Sequence, residues 1–99
     1  MFYISGFYKF KKIKYIKKIK KSLQTYFIKK NIRGTIIISN EGINGTLSAK
    51  KKNLDLVFKK IKNTFKFVKF DRQNLSKSKF QPFHRGKIKI KKEVVPMGI

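Results

Sequence analysis

Apolar residues recur along this chain with two distinct periods. Between residues 13 and 30 they fall at Ile13, Ile16, Ile19, Leu23 and Phe27. Steps of three and four place them on one face of an amphipathic helix, with Lys14, Lys17, Lys18 and Lys21 on the opposite face. Asn31 and Gly34 suit a helix stop, and Lys29 and Lys30 suit the negative end of the helix dipole. A second stripe, Leu54, Val57, Phe58, Ile61 and Phe65, has the same period and predicts a second helix, capped by Ser48 or Asn53.

The other apolar segments read as strands. Residues 2–10 are rich in Phe, Tyr and Ile, with Gly6 as a bulge or a point of close approach. Residues 35–39 are apolar on both faces and predict a central strand, followed by a shorter strand over 46–48. Residues 65–70 predict another strand with imperfect alternation, and the polar stretch 71–82 predicts a loop. Lys87-Ile88-Lys89-Ile90-Lys91 alternates strictly, which predicts a half-buried strand with Ile88 and Ile90 inward and a row of lysines outward. The order is β-α-β-β-α-β plus one strand. With right-handed crossovers this is a split β-α-β sandwich of the α+β class, an antiparallel sheet with both helices on one face. The other face is then open, and the lysine row lies on it.

Ninety-nine residues make one small domain, and ten phenylalanines and 14 isoleucines supply its apolar volume. The absence of cysteine excludes a disulfide framework, a thiolate nucleophile and a cysteine-based metal site. No apolar run approaches the ~18 residues of a membrane span. The first ten residues lack the basic-then-apolar order of a signal peptide, so the expected location is cytoplasmic. The net charge of +23 changes the picture most: 24 lysines and three arginines face two aspartates and two glutamates. Such a balance points to a polyanionic partner, nucleic acid first. Compositional drift toward A/T-rich codons is the competing source. Glutamate codons share that drift yet glutamate occurs twice, so drift alone does not explain the scarcity of acids. The preference for lysine fits drift, because arginine is the better forked reader of phosphate.

Between the strands 35–39 and 46–48 lies Asn40-Glu41-Gly42-Ile43-Asn44-Gly45-Thr46. It reads as a hairpin loop with Asn44-Gly45 as the turn dipeptide, since both residues accept positive φ. Glycines leave amides open to a ligand, and Asn44 and Glu41 add polar groups; an ordinary tight turn needs the same residues. His84, the only histidine, sits between Phe83 and Arg85. A metal site needs three or four ligands, and there is no second histidine or any cysteine. Histidine is a residue type that can serve as a catalytic base, but the reading favoured for His84 is a packed or exposed strand-end residue. Phe83-His84-Arg85 also has the composition of a stack for a splayed base. Lys87, Lys89 and Lys91 suit phosphate contact, or else an edge strand protected from aggregation.

Several segments together resemble the N-terminal domain of the rhodanese-domain tRNA uridine hydroxylases. They are Ser5-Gly6-Phe7-Tyr8-Lys9-Phe10, Gly34-Thr35, Glu41-Gly42-Ile43-Asn44-Gly45-Thr46, and Pro82-Phe83-His84-Arg85 running into Lys87-Ile88-Lys89 and Glu93-Val94-Val95. The similarity runs end to end and in order. It implies an acylphosphatase-like (ferredoxin-like) domain and a role in oxygen-dependent 5-hydroxylation of the wobble uridine of bacterial tRNA. It implies two partners, the anticodon region of tRNA and a rhodanese domain that carries the reactive cysteine. The family continues into that domain where this chain reaches Met97-Gly98-Ile99, so the expectation is a truncated chain that is not catalytic by itself. Gly86 stands where the family usually has a larger apolar residue, Pro96 where threonine is expected, and the 71–81 stretch has lysines where acids are common. An acylphosphatase activity is excluded, because Phe10-Lys11-Lys12-Ile13 lacks the glycines and the arginine of that phosphate loop.

The candidate site for RNA binding or domain docking is therefore Glu41, Gly42, Asn44, Gly45, Phe83, His84, Arg85, Lys87, Lys89 and Lys91. No cofactor, metal or catalytic residue is expected, and no membrane partner. The loop and the last strand are expected side by side, with Glu41 reaching Arg85 or Lys87. Structural docking without RNA contact and nonspecific basic RNA binding are the alternatives.

Overall fold

Ile36 and Ile38 on one strand, and Ile43 and Leu47 on the next, supply apolar side chains on a common face, and that face organises the chain. In the computed structural model, which describes residues 1–91, the elements are β1 (Phe2–Phe10), α1 (Ile16–Lys29), β2 (Arg33–Ser39), β3 (Gly42–Ala49), α2 (Lys51–Phe65), β4 (Arg72–Gln73), β5 (Ser76–Ser78) and β6 (Gly86–Ile90). The sheet order is β4-β1-β3-β2-β6, with β5 pairing beside β4 along β1. All pairings are antiparallel except β2 with β6, which is parallel. The expected α+β sandwich is therefore correct, and the added strand makes the sheet mixed rather than antiparallel. No helix among the described residues is long and apolar enough to cross a membrane.

Both helices bury their stripes against one sheet face. Leu23 and Phe27 of α1 and Leu54, Val57, Phe58, Ile61 and Phe65 of α2 join Phe7, Ile36, Ile38, Ile43, Leu47 and Ile88 in one core. An aromatic cluster closes its β1 end. Phe7 lies 5.2 Å from Phe58 and 5.1 Å from Phe70, and Phe70 lies 5.0 Å from Phe67, centroid to centroid. The Phe7–Phe58 and Phe67–Phe70 contacts are edge-to-face and the Phe7–Phe70 contact is tilted, and such ring pairs add to the burial.

Several expectations are corrected. The 40–46 stretch is not a loop. The hairpin closes at Asn40-Glu41, with Ser39 opposite Gly42, and β3 runs on through Asn44 and Gly45. A local turn at Asn44-Gly45 loses to strand pairing on both sides, since β3 lies between β1 and β2. Gly45 is needed for close approach instead: a Cβ there would run into the Thr35 carbonyl. Gly42, at φ 152°, follows the turn in a conformation that L side chains rarely adopt. Residues 65–70 are not a strand. Lys66 takes φ 60° and ends α2, and the chain turns back to bring Phe67 and Phe70 to the core. The 71–82 stretch is not all loop, because β4 and β5 pair with the edge of β1. The first helix starts at Ile16 rather than residue 13. Tyr15 takes φ 60°, while Ile13 is buried and its N–H donates to the Asn40 carbonyl. Neither Ser48 nor Asn53 caps α2; Lys50 stands at the N-cap without a side-chain bond. Ile88 is buried as expected, but Ile90 is 40% exposed at the sheet edge. Glu93 to Val95 lie outside the described residues.

Leu47→Ala should lower the unfolding free energy by roughly 2–5 kcal/mol, because Leu47 is fully buried in the middle of the sheet. Gly45→Ala should also destabilise by forcing β2 and β3 apart, whereas Thr46→Ala on the exposed face should stay within about 0.5 kcal/mol. Urea titrations of the three variants check this order.

Candidate nucleic-acid interface

Strand alternation puts every second residue on the face away from the helices. The register aligns those residues in rows. One row runs Arg72, Tyr8, Asn44, Ile37, Lys89; the next runs Gly6, Thr46, Thr35, Lys87. Aromatic and β-branched side chains thus occupy the middle, with basic ones at both edges. Phe10 continues the aromatic part, 5.4 Å from Tyr8. A shallow cavity of about 410 Å³ opens here, bordered by Tyr8, Ile37, Asn44, Arg72 and Phe83.

The segment between β5 and β6 crosses this face at one end and is fastened there. The Ser48 hydroxyl donates to the Pro82 carbonyl at 3.0 Å. Gln81 Nε2 donates to the carbonyls of Asn31 and Ser48 at 3.0 and 3.1 Å. Arg33 Nη1 donates to the Phe83 carbonyl at 3.4 Å, and the Gly34 N–H donates to the Arg85 carbonyl at 3.0 Å. These bonds hold Phe83, His84 and Arg85 against the open face. A second cavity, about 340 Å³, lies between Phe83, His84, Arg85 and Lys87.

The β1 edge of the face is held by Asp71 and Asn74. Asp71 Oδ2 accepts the Phe10 N–H at 2.7 Å, and Oδ1 lies 3.3 Å from Lys9 Nζ. The backbone hydrogen bond from Phe10, assisted by Lys9 and opposed by burial, holds the Asp71 carboxyl below its usual range. Asn74 Oδ1 accepts the Gly6 N–H at 2.8 Å, so Gly6 is a point of docking rather than a bulge. Together these contacts set Arg72 beside Tyr8.

The expected site divides into parts. Phe83, His84, Arg85, Lys87 and Lys89 come together on the open face. Glu41 does not join them. It sits past the C-terminal end of β2, where its carbonyl accepts the Lys11 N–H, while Arg85 lies at the other end of that strand. The seven residues of β2 between Glu41 and Arg85 span roughly 20 Å, beyond the reach of that pair, and Lys87, opposite Thr35, is still roughly 13 Å from the end of the strand. The single-site expectation is therefore wrong. The amides of Gly42, Asn44 and Gly45 are not open, because β3 is paired along both edges. Asn44 remains part of the face as its floor, 3% exposed. Lys91 follows the end of β6 and borders another groove, with Tyr15, Lys18 and Asn40. No group of three or more potential metal ligands occurs among the described residues.

The reading of the residues alone missed Tyr8, Phe10, Arg33 and Arg72. One signal was available. The chain has only three arginines, and Arg33, Arg72 and Arg85 all reach this face, while most of the lysines among the described residues do not.

The profile of the UPF0176 acylphosphatase-like domain matches residues 2–94. This chain belongs to that family. The UPF0176 domain described here is 63% identical over 99 residues to a tRNA uridine(34) hydroxylase of Pelagibacter ubique, and it spans about a third (33%) of that protein's length. Among solved structures, it superposes on an acylphosphatase from Bacillus subtilis with a TM-score of 0.60 at 14% identity, covering 89% of this chain and 98% of that one. A bacterial light-regulated adenylyl cyclase gives 0.62 at 15% identity, covering 91% of this chain and 28% of that one. At such identities the two structures report the fold alone, which is acylphosphatase-like.

The Asp71 contacts predict an acid dependence. A carboxyl whose folded pKa is lowered contributes stability above its unfolded value of 3.8, and loses it as pH falls through the folded value. Wild type should exceed Asp71→Asn in stability at neutral pH, and the gap should close as the pH falls below that value. Urea midpoints of both proteins across an acid series measure the gap.

Proposed function

We propose that this UPF0176 domain is the tRNA-binding domain of a tRNA wobble-uridine hydroxylase and that it meets RNA through its open sheet face. The observation that carries this reading is the composition of that face, where all three arginines and Lys87 and Lys89 surround Tyr8, Phe10 and Phe83. Basic groups set the affinity for phosphate, and aromatic faces accept unstacked bases. The identity to a tRNA uridine(34) hydroxylase along the whole chain supports tRNA as the RNA concerned, at its anticodon region, and the cytoplasm as the place of action. Oxygen-dependent hydroxylation is assigned to a rhodanese domain with a reactive cysteine. The 99-residue sequence holds no cysteine, and its own role is to present tRNA to that domain.

The test is titration of a tRNA anticodon stem-loop at several salt concentrations. About five phosphate contacts should give a log–log slope near −4 to −5 for duplex-like RNA, and a shallower one for single strands. Arg85→Ala should weaken binding more than Lys18→Ala, because a positioned guanidinium makes a forked phosphate contact and a solvated helix lysine does not. Equal losses would mean binding by bulk charge. A flat salt response would favour a docking role instead.

A further inference from the structure

Phe83 occupies a backbone position that glycine would take at less cost. Its φ of 72° lies in the left-handed region, where a bulky side chain is strained. Asn31 and Lys66, at 52° and 60°, terminate the two helices, where that conformation is common. Phe83 terminates no helix. Core burial does not account for it either, since 44% of the residue is exposed. What holds it is the backbone on each side, through Ser48 to Pro82, Arg33 to Phe83 and Gly34 to Arg85. The ring therefore stands on a fastened loop as a wall between the two cavities, with Tyr8 bordering the larger one and Arg85 and Lys87 the smaller.

We propose that Phe83 and Tyr8 form a stacking site for one unpaired RNA base, with Arg72 and Arg85 taking the flanking phosphates. The proposal rests on the reading of the open face as an RNA surface and adds the class of ligand, a single strand. Stacking needs an exposed aromatic face with cations at its rim, and it tolerates any base. A cavity of about 410 Å³ falls within the ~300–1,000 Å³ usual for small-ligand sites. Thr35 and Thr46 in its floor supply hydroxyls for a base edge. A duplex keeps its bases stacked on one another and offers such a pocket only its backbone. Arg33 is a positioning residue here, because it holds the Phe83 carbonyl.

The chain has no tryptophan, so Phe83→Trp introduces a single reporter. Val68→Trp, in the exposed turn after α2, is the control. A short oligouridylate should quench the fluorescence of the Phe83→Trp variant with saturation, while a duplex RNA of equal length does not. The Val68→Trp variant should respond to neither. Phe83→Ala should lower oligouridylate affinity by roughly tenfold and leave duplex affinity within about twofold, with Phe83→Tyr close to wild type. The fluorescence measurement decides the matter even if Phe83→Ala fails to fold. If both RNAs bind but the two tryptophan variants respond alike, the stacking site falls and the basic RNA surface stands. If neither RNA binds wild type, the RNA surface falls and the stacking site with it.

Discussion

β3 is paired along both of its edges, to β1 on one side and β2 on the other, and the remaining parts take their places from that double register. Gly45 makes it possible, since any Cβ there would meet the Thr35 carbonyl and separate the strands. The same register aligns Tyr8, Asn44 and Ile37 across the open face and Phe7, Gly45 and Ile36 across the covered one. A slip by one residue would exchange the two faces, exposing the core side chains and burying the polar ones. The apolar side chains opposite the helices therefore protect the geometry of the face that carries the candidate site.

The sheet edges are finished in different ways. On the β1 side, two short strands are stapled by Asp71 and Asn74, whose side chains accept the N–H groups of Phe10 and Gly6. On the β2 side, β6 adds in parallel after a connection that crosses the open face. That crossing brings Phe83 and Arg85 from a distant part of the chain to the rows set by β1, β2 and β3. The price is a left-handed phenylalanine, which the surrounding hydrogen bonds hold in place.

Charge is distributed unevenly in kind rather than in amount. Lysines line the outer sides of both helices, most of them exposed, with a few held locally, as Lys51 is by Asp55 and Lys60 and Lys62 are over the Tyr26 and Phe70 rings. The three arginines are instead set by β2, β4 and the start of β6, on one face, beside aromatic rings. A net charge of +23 draws polyanions to any part of the surface, whereas the arginines and rings give one part a defined geometry.

The sequence by itself determined both helix stripes, the long first strand, the position of the last strand and the α+β topology. The period of apolar residues agrees with the buried face in both helices and at Ile88, while the first strand was legible from its aromatic and β-branched composition. It also marked Phe83, His84, Arg85, Lys87 and Lys89 as neighbours, because they follow one another along a single segment. It misplaced what depends on partners far along the chain. Asn44-Gly45 has the local preference of a turn, but pairing with β1 and β2 on both edges outweighs it. The polar residues of β4 and β5 have no strand pattern of their own and become strands by adding to an edge. The separation of Glu41 from Arg85 follows from β6 running parallel to β2, and strand direction is not written in alternation. Only the tertiary structure brought Tyr8, Arg33 and Arg72 to Phe83, because the register across strands distant in sequence sets which side chains meet.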